Sequence, residues 1–175
     1  MSGPGVDPAT FRQLMARWPT GVAVVTTRSD SVDHGLTVNA LLSVSLQPPS
    51  LLVSLGTEAD STPAVERAGR FAVSFLSAGQ RPISERFART VPPEEKFRDL
   101  PMDRTPSGLA ILPGALARLE CTVRSVTAGF DHRLVLGEVV WCEGGPDGTP
   151  LLFHRSGYAE DDGRGGVKLP AARHP

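Results

Sequence analysis

The sequence predicts a mainly β domain, a closed antiparallel barrel with a few short peripheral helices. Three observations lead there. The 175 residues include 18 Gly and 16 Pro scattered without period, a density of turn formers that suits β architecture and not a helical bundle. Six or seven short apolar or β-branched runs follow one another with links of hairpin length. These runs do not alternate regularly with helices, as a doubly wound parallel sheet would require.

The elements follow in chain order. Phe11, Leu14, Met15 and Trp18 recur at i, i+3, i+4 and i+7, the stripe of an amphipathic helix. Asp7-Pro8 opens that helix and Pro19 stops it. Residues 21–27 are β-branched and read as a buried strand, and residues 28–34 as a polar hairpin loop. Residues 35–46 read as one extended run ending at Gln47-Pro48-Pro49, with another strand over 50–55. A turn then leads to a helix over 64–70, a strand over 71–76 and a short helix over 81–89, with Ile83 and Phe87 facing inward. Residues 90–114 carry five prolines and a polar middle, and read as an irregular functional lid or binding loop. Two long strands over 115–127 and 134–142, joined by a turn at 128–133, precede a last short strand at 151–153. Residues 1–7 are expected to form a flexible N-terminus, 8–158 the domain, and 159–175 a loosely ordered tail.

Composition narrows function. The chain is 40% hydrophobic and 21% charged with a net charge of −1, ordinary for a globular protein. Nucleic-acid and membrane-surface partners are not expected, since both favour a basic excess. The N-terminus lacks the basic start and apolar run of a signal peptide, so a cytoplasmic protein is the expectation. Cys121 and Cys142 match no zinc spacing and read as two small buried hydrophobes, close together because they fall in consecutive strands. Nucleophile elbows, phosphate loops and dense Cys/His clusters are absent from the sequence, which leaves catalysis through a bound cofactor as the available route.

Several segments offer polar groups to such a cofactor. Thr37, Asn39, Ser43 and Ser45 share one parity in an extended run, placing small hydrogen-bonding groups on one face where a flat ring has room. A solvated strand face is the alternative. Asp60-Ser61-Thr62-Pro63 reads as a helix start with Thr62 as cap, either simple capping or a phosphate site. Lys96, one of two lysines, suits a phosphate as a point charge or stands in solvent. His132 follows Phe130-Asp131 at a hairpin tip, and His154-Arg155 precedes Tyr158 near the last strand.

The order of these segments resembles the short-chain flavin reductase family. The resemblance rests on Pro19-Thr-Gly-Val-Ala-Val-Val-Thr-Thr27, His34-Gly-Leu-Thr-Val-Asn-Ala40, Ser43-Val-Ser-Leu-Gln-Pro-Pro49, Ser61-Thr62 and Arg70-Phe-Ala-Val-Ser-Phe-Leu76. It continues through Arg86-Phe87, Lys96-Phe97, Leu119-Glu-Cys121, Asp131-His132, Gly137-Glu-Val139 and residues 151–158, collinear over about residues 8 to 158. The resemblance implies an antiparallel Greek-key split barrel of the FMN-binding type. It also implies an NAD(P)H-dependent reductase acting on FMN or FAD, a homodimer, and a partner monooxygenase that receives reduced flavin. By the same resemblance, Asn39, Ala40, Leu41, Leu42 and Ser43 line the flavin ring and ribityl chain, with Ser45 beside them. Asp60, Ser61 and Thr62 hold the phosphate end, with Lys96 adding charge, while His132, His154, Arg155 and Tyr158 border the nicotinamide side, His132 as the catalytic residue. Phe130 and Ser74 depart from the family pattern of Gly and Asn. Two alternatives remain at this stage: a flavin-binding protein without free-flavin reductase activity, and a reductase that keeps its flavin and acts on another acceptor.

Overall fold

Apolar strand-forming runs draw the longer strands of the chain into one sheet of seven. The structure is a computed structural model that describes residues 5–161 and 167–168. Its elements are α1 (Pro8–Met15), β1 (Thr20–Gly21), β2 (Ala23–Ser29), β3 (Val32–Val38), β4 (Leu41–Leu46), β5 (Pro49–Gly56), α2 (Ser61–Ala68), β6 (Arg70–Phe75), α3 (Arg81–Phe87) and α4 (Pro93–Phe97). They continue with β7 (Asp103–Arg104), β8 (Ala110–Ile111), β9 (Ala117–Gly129), β10 (His132–Gly144), β11 (Leu152–His154), β12 (Gly157–Tyr158), β13 (Glu160–Asp161) and β14 (Val167–Lys168). The main sheet runs β3-β2-β6-β9-β10-β5-β4, antiparallel at every step. Its outermost strands, β3 and β4, are neighbours in sequence and only Asn39-Ala40 separates them. Ser54 N donates to the Ala40 carbonyl at 3.0 Å, which holds this link over β5. Among the described residues no ladder joins β3 to β4.

Parity sorts the core. Ala23 and Val25 of β2 pack with Leu36, Val53, Leu55, Phe71, Val73, Cys121 and Val135 on one face of the sheet. Val22 and Val24 pack on the other face with Leu76, Phe87, Leu112 and Leu151, where α3 and α4 cover them. This explains the unbroken apolar run of β2, which is buried on both sides. The β2–β3 turn places Asp30 and Ser31 at φ 52° and 65°, matching the right-handed twist of the strands it joins.

Several expectations need correction. The extended run over 35–46 divides into β3 and β4, and a register shift between Ser43 and Ser45 breaks the shared parity of its polar residues. Helix α2 starts at Ser61, with Asp60 at the N-cap and Thr62 inside the helix, because Thr62 Oγ1 donates at 2.7 Å to Gly56 O and is drawn inward. The stretch over 90–114 contains α4, β7 and β8, since Phe97 finds an apolar partner in Phe87, with centroids 5.1 Å apart, edge to face. The apolar stripe of α1 is left largely uncovered by the described residues: no residue of the helix is buried, and Trp18 just beyond it is 70% exposed. Cys121 is buried but Cys142 is exposed, and the β9–β10 register sets them opposite Val139 and Leu119 and not opposite each other. Of the expected flexible N-terminus, residues 1–4 lie outside the described residues, while Asp7 caps α1 by accepting from Thr10 N at 2.9 Å. Most of the expected tail over 159–175 also lies outside them, though Glu160–Asp161 pairs with Val167–Lys168.

Candidate functional site

The break between β3 and β4 is where concavities gather. A groove of about 680 Å³ runs between the Asn39–Leu42 segment and the end of α1, with Arg12, Trp18 and Ser156 on its walls. A cleft of about 380 Å³ continues from it over Val38, Phe75 and Leu76. Thr20 lines both, and its Oγ1 is buried with no hydrogen-bond partner among the described residues. An orphaned hydroxyl beside apolar walls is costly unless a ligand or water meets it. A third cleft of about 180 Å³ lies between Thr37, Asp60, Ala88, Arg89 and Lys96. Thr37 lines this small cleft and Asn39 lines the groove, and two residues of extended chain span about 7 Å.

Lys96 is the electrostatic centre of the small cleft. Its ammonium donates to Gly35 O at 3.0 Å and to Phe87 O at 3.3 Å, tying α4 to β3 and α3. Those two bonds occupy two of three donors and leave one for a ligand. Burial pushes the Lys96 pKa below the ordinary lysine value, while the Asp60 carboxylate draws it back up. At the other side, Asp131 O accepts from both Thr57 N and Thr57 Oγ1 at 3.0 Å, which pins the β9–β10 hairpin tip to the loop before α2. His132 Nδ1 donates to the Asp131 carboxylate at 2.8 Å, and that hydrogen bond holds the Asp131 carboxyl below the usual range.

The structure brings together some of the residues singled out from sequence and separates others. Asn39, Ala40, Leu41 and Leu42 line the groove as a set. Asp60 and Lys96 meet at the small cleft. Ser43 and Ser45 continue along β4 away from both, and Ser45 Oγ accepts from Gln47 N at 3.0 Å. Ser61 and Thr62 are buried in the first turn of α2. His132 stands half-exposed at the hairpin tip. His154 is buried in β11 with Nδ1 unpartnered among the described residues, while Arg155 is exposed on a turn at φ 50°. Tyr158 turns into the second core, its hydroxyl 2.9 Å from Ser84 Oγ and its ring edge-to-face with Phe153. Sequence reasoning missed Thr20, Trp18 and Arg89. Thr20 and Trp18 are placed by the β1–β11 pairing of Thr20 with Phe153, a contact between chain ends that no local pattern announces.

A flat ring system with polar edges, a polyol chain and a phosphate matches this sequence of groove, strand and half-buried ammonium. Comparison with known proteins gives the family. Residues 15–160 match the family described as flavin reductase like domain, so the chain belongs to the flavin reductase-like family. It is 36% identical over 152 residues to the reductase component of 4-hydroxyphenylacetate 3-monooxygenase from Thermus thermophilus, covering 85% of this chain and 93% of that protein. It is also 36% identical over 161 residues to an NADH-dependent flavin reductase from Rhodococcus sp, covering 89% of this chain and 87% of that one. Among solved structures, the NADH:FAD oxidoreductase of Streptomyces globisporus in complex with NAD and FAD fragments superposes with a TM-score of 0.84 at 30% identity, covering 94% of this chain and 100% of that one.

Proposed function

We propose that this chain is an NAD(P)H-dependent flavin reductase that passes reduced flavin to a separate monooxygenase and works as a cytoplasmic homodimer. The observation that carries the reading is the succession of three features along β3 and its link to β4: the groove at Asn39–Leu42, Thr37 beside it, and the half-buried Lys96 ammonium at the Gly35 end. FMN or FAD, when bound, accepts a hydride from NADH or NADPH and a proton from solvent, giving reduced flavin and the oxidised nicotinamide. The protein's part is to align and to exclude water. Asn39, Ala40, Leu41 and Leu42 would seat the ring, with Ser43 and Ser45 at the outer end of the shelf and the orphaned Thr20 hydroxyl meeting a polar edge. Lys96 would neutralise the phosphate, with Asp60 and the first turn of α2 at Ser61 and Thr62 framing that end. His132, oriented by Asp131, would border the nicotinamide, with His154, Arg155 and Tyr158 supporting the opposite rim.

Within this reading the domain spans residues 8–158, and β3 and β4 form the two lips of a split in an otherwise closed antiparallel barrel. The exposed side chains of Phe11, Leu14, Met15 and Trp18, with Leu42 and Leu46 on edge strand β4, support a second copy as their cover. Among the described residues no helix is long and apolar enough to cross a membrane. The test is to follow NADH and NADPH oxidation with and without added FMN or FAD. Turnover that scales with added flavin supports the proposal. A yellow protein that oxidises no nicotinamide refutes it, as does turnover that needs a different organic acceptor. His132→Ala should lower nicotinamide turnover more than flavin affinity, and equal losses would remove His132 from that role.

A further inference from the structure

The small cleft beside Thr37 has a charge balance that Lys96 alone leaves wrong for a phosphate. Four ionisable residues line it: Glu58, Asp60, Arg89 and Lys96. Asp60 faces Lys96 closely enough to draw its pKa upward, so that cation is partly answered before any ligand arrives. Two acids against Lys96 alone give a lining of −1, which repels a phosphate, and Arg89 brings the lining to zero.

Arg89 is also free to act. It shares the cleft with two carboxylates, yet its guanidinium makes no hydrogen bond or ion pair among the described residues. Arg86, three residues earlier, is by contrast engaged with the carbonyls of Glu95 and Arg98. Buried Leu36 and Phe87 form the floor of the cleft, and exposed Ala88, Arg89 and Thr90 form its rim, with half-buried Lys96 between. An entering anion thus meets Lys96 inside and Arg89 at the mouth. Lys96 has one donor left, and an arginine fork offers two parallel N–H bonds, which makes three. The terminal phosphate of FMN presents three non-ester oxygens and nearly two negative charges. The phosphate joined to the ribityl chain in FAD presents two such oxygens and one charge, because the third place is taken by the bridge to the adenylate.

We propose that Arg89 sets the flavin specificity of this chain, favouring FMN over FAD by completing the phosphate site that Lys96 begins. The inference rests on the reductase reading above, with the flavin phosphate in this cleft. The bridge in FAD has to leave past the rim where Arg89 stands, so the guanidinium that grips the free end of FMN meets a blocked oxygen in FAD.

The test titrates FMN, FAD and riboflavin into the unaltered protein, Arg89→Gln and Arg89→Lys, following flavin fluorescence. The unaltered protein should bind FMN about 10-fold more tightly than FAD. Arg89→Gln should weaken FMN about 10-fold and change FAD and riboflavin by less than about threefold, so that the preference disappears. Arg89→Lys keeps the charge and loses the fork, and should fall between the two. Because the Arg89 guanidinium holds no partner in its own chain, Tm should move by less than about 2 °C, which separates the effect from misfolding. Equal weakening of FMN and FAD in Arg89→Gln overturns the proposal, and so does an unaltered protein that prefers FAD. An Arg89-dependent FMN preference in a protein that oxidises no nicotinamide would refute the reductase reading and still support the role of Arg89, because the titration needs no turnover.

Discussion

Lys96→Met is the substitution that separates a phosphate contact from a structural strut. Methionine keeps most of the apolar stem and removes the ammonium. The structure gives that ammonium three donors, two engaged by Gly35 O at 3.0 Å and Phe87 O at 3.3 Å. Under the proposed function the remaining donor would make a charge-assisted bond to a phosphate, a class of interaction that contributes about 1.5–3 kcal/mol. At about 1.4 kcal/mol per factor of ten, KM for FMN should rise roughly 10- to 150-fold. Riboflavin carries no phosphate and supplies the control, so its KM should change by less than about threefold, the residue of any local distortion. Raising ionic strength should narrow the gap between FMN and riboflavin in the unaltered protein and leave Lys96→Met nearly indifferent. The pH dependence has a definite sign. Burial lowers the Lys96 pKa, so the cation is lost, and FMN affinity with it, at a lower pH than an ordinary lysine would dictate. Equal losses of FMN and riboflavin would refute the phosphate role and leave Lys96 as a strut between α4, β3 and α3.

The two cysteines should behave oppositely: an aromatic disulfide reagent titrates one thiol in the native protein, and Cys142→Ser abolishes that reaction while Cys121 reacts only on unfolding. Burial pushes the Cys121 thiol from 9.0 up to about 12, so its contribution to stability is complete below pH 9 and declines as pH rises from 9 to about 12; Cys121→Ala should flatten that alkaline decline in denaturant titrations. Gly137→Ala should destabilise by about 1–3 kcal/mol and lower Tm by about 2–12 °C by calorimetry, because the added Cβ would sit 2.6 Å from Phe71 Cζ and 2.8 Å from Cys121 Cβ. Leu14→Glu, on the exposed stripe of α1, should give monomers by light scattering with secondary structure intact, and a dimer that survives it would move the interface elsewhere.

How far the sequence discloses this molecule depends on the range over which each signal acts. The two long strands, the helix at Pro8 and the inward Phe87 follow from periodicity and punctuation, which are local. The division at Asn39 is not local. It arises because Leu41 pairs with Val53 and Ser54 captures the Ala40 carbonyl, partners more than ten residues away that no alternation of Thr37, Asn39 and Ser43 encodes. The candidate site shows the same limit. Asn39 through Leu42 are contiguous and fall together, whereas Arg89 and Thr20 join the site only when distant strands and helices are in place. Tyr158 shows the converse, since a tyrosine two residues from a turn looks available until Ser84 and Phe153 engage it. The exposed stripe on α1 has the periodicity of a core helix, and the physics of the pattern is satisfied as well by a partner as by the chain's own interior.

The crossing at Asn39-Ala40, from one lip of the sheet to the other, also bears on how a guest would leave. Each edge strand is laddered to a neighbour, β3 to β2 and β4 to β5, so on the split-barrel reading proposed above the opening would be a fixed slot and not a jaw held ajar. A slot of this kind has no door to wait for. Residence time is then governed by the strength of the few contacts inside, and a tenfold change in grip becomes a tenfold change in escape. Under the proposed function, a catalyst that surrenders its product to another enzyme would be well served by such a berth.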